Sequence, residues 1–77
     1  MAKAYLKIDV EAGKEKEVRD VLLKIKGVKA ADLTAGDQDI IAVIEARTTD
    51  AVMKLVVQEL RRINGIEKTI TNLVLEP

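Results

Sequence analysis

Val18-Arg19-Asp20-Val21-Leu22-Leu23-Lys24-Ile25-Lys26-Gly27-Val28 and Val56-Val57-Gln58-Glu59-Leu60-Arg61-Arg62-Ile63-Asn64-Gly65-Ile66 are two versions of one pattern. Val18, Leu22, Ile25, Gly27 and Val28 correspond to Val56, Leu60, Ile63, Gly65 and Ile66, at an offset of about 38 residues, close to one βαβ unit. In both copies apolar residues at helical spacing run into a glycine that stops the helix.

Outward from this repeat, residues 4 to 10 alternate. Ala4, Leu6, Ile8 and Val10 share one face, and Tyr5, Lys7 and Asp9 the other, which is the period of a strand. Gly13 breaks that pattern ahead of the first helix, whose stripe is Val18, Val21, Leu22 and Ile25, with Glu15 and Glu17 near its positive end. Val28 to Thr34 reads as a second strand and Ile40 to Ala46 as a third, joined through Gly36-Asp37-Gln38-Asp39, which carries turn chemistry. Thr48, Thr49 or Asp50 can cap a second helix with the inward stripe Met53, Val56, Leu60 and Ile63, and Lys68 to Leu75 supplies the last strand. The order βαββαβ predicts an α+β, ferredoxin-like fold: a four-stranded antiparallel sheet with both helices on one face, in a single domain over residues 1–77.

Helices that cover one sheet face leave strands apolar on one side and polar on the other. The third strand departs from that rule, because Ile40, Ala42 and Ile44 point one way while Ile41 and Val43 point the other. Leu73, Val74 and Leu75 repeat the conflict in the last strand. Such runs also occur in ordinary core strands, but a two-layer domain of 77 residues has no second layer to cover them. Stacking the open faces of two sheets removes a few hundred Å² of apolar area per copy, at roughly 25 cal/mol per Å². A two-fold dimer, a barrel-like sandwich of two sheets, is therefore expected, with Tyr5, Ile41, Val43 and Leu73 at its interface. The second helix has an apolar arc of about 200° at helical spacing. Seating against loops accounts for such an arc, and so does assembly of dimers into a higher oligomer, which is the expectation adopted.

Composition narrows the chemistry. Thirteen basic residues balance thirteen acidic ones, so no net field draws the chain to nucleic acid or an anionic membrane. The sequence holds no cysteine and no histidine, which removes disulfides, thiolate chemistry, zinc sites of the usual kind and the commonest general base at neutral pH. No metal site, cofactor or catalytic residue is expected. Charges interrupt the first residues where a secretory signal needs an apolar run, and no stretch approaches membrane-spanning length, so the cytoplasm is the expected location.

The concentrated polar constellation is Thr34-Ala35-Gly36-Asp37-Gln38-Asp39, with Thr69 and Thr71 on the last strand as possible additions. Turn chemistry and strand propensity alone account for these residues. The run Thr34 to Ala42, the two helix ends Ile25-Lys26-Gly27-Val28 and Ile63-Asn64-Gly65-Ile66, and the terminal Thr69 to Leu75 together resemble the effector-binding (RAM) domain of the Lrp/AsnC transcriptional regulators, over essentially the whole chain. No single motif is specific; their order and spacing are.

The resemblance implies a domain that dimerises through its sheets, assembles dimers into rings and binds amino acids between dimers. It places Thr34, Gly36, Asp37, Gln38, Asp39, Thr69 and Thr71 at the effector pocket. Gln38 stands where family members often carry an aromatic residue. An α-amino acid needs an acceptor for its ammonium group, which Asp39 or Asp37 can supply. It also needs donors for its carboxylate, which hairpin amides and threonine hydroxyls can supply. Since the first strand starts almost at Met1, the expectation is a stand-alone effector domain without a helix-turn-helix domain, acting alone or joined to a full-length regulator.

Other functions known on this topology fit the residues less well. Dimeric α/β-barrel oxygenases and isomerases share the topology but would be expected to bring histidines or aromatics to the pocket. RNA-recognition modules stack bases on sheet aromatics, and Tyr5 is the sole aromatic here. A copper chaperone needs a Cys-x-x-Cys loop. An ACT-type regulatory module would carry its glycine loop after the first strand, where Val10-Glu11-Ala12-Gly13-Lys14 reads as an ordinary turn.

Overall fold

The computed structural model describes residues 1–75, so Glu76 and Pro77, the end of the expected domain, lie outside the described residues. The elements are β1 (Ala2–Val10), α1 (Glu15–Leu23), β2 (Val28–Leu33), β3 (Ile40–Ala46), α2 (Thr49–Gln58), a 3-10 turn (Leu60–Arg62) and β4 (Ile66–Leu73). The strands form one antiparallel sheet in the order β2-β3-β1-β4, which is the ferredoxin-like βαββαβ topology.

The core lies between the two helices and one face of the sheet. Ala4, Leu6, Ile8 and Val10 of β1 and Ile40, Ala42 and Ile44 of β3 are buried against Val18 and Leu22 of α1 and Val52, Leu55 and Val56 of α2. Among the described residues no polar or charged residue is buried with them. Alternation thus delivers every second residue of β1 and β3 to a dry layer.

Helix ends follow local chemistry. Thr48 is the cap of α2, its Oγ1 accepting the Ala51 N–H at 3.1 Å, and Glu15 and Glu17 occupy the first turn of α1. Gly27 and Gly65, the repeat's two glycines, sit at φ +101° and +104°. A Cβ on Gly27 would stand 2.9 Å from Leu55 Cδ2, and one on Gly65 3.0 Å from Val18 Cγ2. Each glycine therefore provides both the left-handed turn and the close approach of the opposite helix's side chain.

Several boundaries differ from expectation. α1 ends at Leu23, and the chain reaches Gly27 through a turn in which Ile25 packs on the core from outside the helix. α2 ends at Gln58 and tightens into the 3-10 turn, so 3.6-residue spacing no longer links Met53 to Leu60 and Ile63. Val52 and Leu55 consequently join Val56 in the core, while Met53 is 38% exposed. β4 starts at Ile66 and stops at Leu73, earlier at both ends than the run from Lys68 to Leu75.

Candidate functional site

The β2–β3 connection is held by its own hydrogen bonds. Thr34 Oγ1 donates to the Gln38 carbonyl at 2.7 Å, and the Thr34 N–H donates to the Asp39 carbonyl at 2.9 Å. Asp39 ties this hairpin to the middle of the sheet. Its N–H donates to the Ile8 carbonyl at 3.0 Å, and its Oδ2 accepts the Val10 N–H at 2.9 Å. One carboxylate oxygen of Asp39 is thus committed to the backbone at the end of β1, where the pairing with β4 shifts register between Asp9 and Val10. Gly36 and Asp37 are exposed and Gln38 and Asp39 half-buried. Gly36 does not use a left-handed φ, and a Cβ there would meet nothing within 4 Å, so the turn does not depend on glycine's freedom.

Thr69 and Thr71 lie elsewhere. They pair with Ile8 and Leu6 of β1, which puts them on the helix side of the sheet's β4 edge. There they line a cleft of about 450 Å³ with Met53, Val57 and Arg61. Thr34 and Asp39 line another cleft of about 450 Å³ with Gly13, Glu15, Lys16 and Leu33. β1 stands between the two groups, a separation of roughly 10 Å at the spacing of neighbouring strands. Among the described residues the hairpin and the β4 threonines line separate clefts.

The sheet's open face carries Tyr5, Lys7, Ile41, Val43 and Ile70, since Tyr5 pairs with Val43 and Lys7 with both Ile41 and Ile70. Tyr5 and Ile70 are each 42% exposed, and Lys3 Nζ sits 5.3 Å from the Tyr5 ring centroid. Leu73, grouped with Tyr5, Ile41 and Val43 in the sequence, pairs instead with Ala4, a buried residue of the helix face. The phase of β4 is thus opposite to the one assumed. Ile70 takes the open-face position, and the terminal apolar run does not repeat the two-faced pattern of β3 within the strand.

Sequence reasoning missed Ile70 and Arg61. Ile70 follows from the phase of β4, which pairing with β1 sets and which a run of β-formers does not reveal, and Arg61 from the 3-10 turn that ends α2. Among the described residues no group of three or more acidic residues is placed to hold a metal ion, and no helix is long and apolar enough to cross a membrane.

Comparisons with known proteins agree with this architecture. The family model of the Lrp/AsnC ligand binding domain matches residues 3–77. An uncharacterized HTH-type transcriptional regulator of Pyrococcus furiosus is 34% identical over 67 residues, covering 86% of this chain and 45% of the relative. The chain spans about half the length of the curated relatives it matches. The crystal structure of the hypothetical protein PHS023 from Pyrococcus horikoshii superposes with a TM-score of 0.93 at 28% identity, over 100% of this chain and 93% of that one. A transcriptional regulator of Neisseria meningitidis, solved as a complex with L-Met, shares the fold at a TM-score of 0.83 and 16% identity, over 97% of this chain and 50% of that one. With a family model matched over nearly its whole length and regulators among its relatives, the chain belongs to the Lrp/AsnC ligand-binding domain family.

Proposed function

We propose that this domain is a non-catalytic amino-acid sensor that self-associates through the open face of its sheet and holds its effector where copies meet. The observation that carries the reading is the uncovered apolar surface of Tyr5, Ile41, Val43 and Ile70, on a sheet whose other face is sealed by both helices. A second sheet laid on that surface is the simplest cover for a chain of this length. Further contacts would join such dimers into a ring, and the same surfaces would admit the matching domain of a full-length regulator.

The separation of the hairpin from Thr69 and Thr71 supports a composite pocket, because a ligand that touches both groups needs the hairpin of one copy beside the β4 edge of another. Each side offers complementary chemistry. Asp37 and the uncommitted oxygen of Asp39 accept from an ammonium group, while Arg61 and the two threonine hydroxyls donate to a carboxylate. Met53 and Val57 supply an apolar wall for the effector's side chain. The L-Met complex of the Neisseria regulator fits this ligand class.

Calorimetric titration with the common amino acids tests the proposal. At least one should bind with a Kd between about 1 µM and 1 mM, weakened roughly tenfold by Thr69→Val or Arg61→Ala. If no amino acid binds, or if those variants bind as the wild type does, the assignment fails.

A further inference from the structure

At the far end of β3 from the hairpin, seven residues or about 20 Å away at strand rise, lies a cleft of about 530 Å³. Four cationic side chains line it, each from a different segment: Lys26 from the α1–β2 turn, Lys29 from β2, Arg47 from the β3–α2 link and Lys54 from α2. Two carboxylates, Glu45 and Glu59, accompany them. Among the described residues the ion pairs within 4.0 Å are Lys14 with Glu11 and Arg19 with Asp20, so none of the four cations is neutralised at contact distance.

We propose that this cleft binds a small phosphate-bearing metabolite. Four cations against two carboxylates leave the concavity net positive, which favours an anion there. Leu55 and Ala46 give the cleft apolar wall for the organic part of the ligand, and its volume falls in the range of roughly 300–1,000 Å³ usual for small-molecule sites. The rim is stiff, because Gly27 packs against Leu55 and its carbonyl accepts the Glu45 N–H at 2.8 Å.

A compact ligand fits better than a polymer. The two carboxylates sit among the cations and the chain carries no net charge, which suits a small anion more than a nucleic-acid backbone. This site is distinct from the proposed effector pocket and stands or falls without it.

Calorimetry on the whole chain at low ionic strength, with inorganic pyrophosphate and adenosine diphosphate as probes, decides the matter. Both should bind, with affinity falling as salt is added. Arg47→Ala and Lys54→Ala, at exposed positions, should each weaken binding by about tenfold with the circular dichroism spectrum unchanged. Lys16→Ala, in the cleft beside the hairpin, should leave it unaltered. Absence of heat from both probes at about 10 mM, or equal affinity in wild type and both variants, overturns the proposal. So does a short DNA duplex bound more tightly than the diphosphate with a salt slope of several phosphates.

Discussion

The two faces of the sheet are built from the same strands and have opposite fates. On the helix face Leu6, Ile8, Ile40 and Ile44 are fully buried, whereas on the open face Tyr5 and Ile70 remain 42% exposed. β1 separates the faces cleanly, with Lys3, Lys7 and Asp9 opposite its apolar side, but β3 places isoleucine or valine on both. A strand that looks apolar from either side belongs in a layer covered twice. The difference teaches where a second cover is wanted, and the proposed self-association would supply it from another copy.

The largest effect is expected on the sealed face. Leu6→Ala leaves a cavity where no solvent reaches and should cost about 3 kcal/mol in chemical denaturation. Gly27→Ala should follow at roughly 2–3 kcal/mol, because the new Cβ sits at a left-handed φ and meets Leu55 at 2.9 Å. Asp39→Ala removes the acceptor of the Val10 N–H at the hairpin end, and a loss of about 1–2 kcal/mol is expected together with weaker effector binding. Tight effector binding by this variant would leave Asp39 with a purely structural part.

On the open face the sign changes. Val43→Lys should leave the monomer fold intact by circular dichroism, with a stability change within about 1 kcal/mol, while it abolishes self-association in sedimentation. If it unfolds the chain instead, the face is part of the core and the contrast is broken. The smallest effect is reserved for Gly36→Ala, within about 0.5 kcal/mol, since its φ is ordinary and its surroundings empty.

The features legible in the sequence were those with a strict period. The repeat of Val18 to Val28 in Val56 to Ile66, the alternation of β1 and the two-faced β3, with the strand formers of β4, were enough to place all six main elements in order and assign the core of the first and third strands. β4 was readable as a strand but not in phase. Thr69-Ile70-Thr71-Asn72-Leu73 has strand formers at most positions, so its phase is set only by the pairing of Ile70 with Lys7 and Leu73 with Ala4. The opposite phase puts Leu73 on the wrong face and hides Ile70. In α2 the 3-10 turn at Leu60–Arg62 changed the helical period, which sequence spacing could not anticipate, and so exchanged Met53 for Val52 and Leu55 in the core.

The hairpin residues were legible as a polar cluster, but not in their allegiance. Thr34 and Asp39 spend much of their hydrogen-bonding capacity on local backbone, and the threonines of β4 face a different cleft. Residue types in a sequence indicate what a site can hold. Only pairing shows which of them meet.

Sedimentation velocity of the wild-type chain at micromolar concentration tests the central claim most directly. The account predicts a dimer or a larger even-numbered assembly, with no monomer boundary. A single monomeric species at those concentrations, its Tyr5 and Ile70 face open to water, would contradict it.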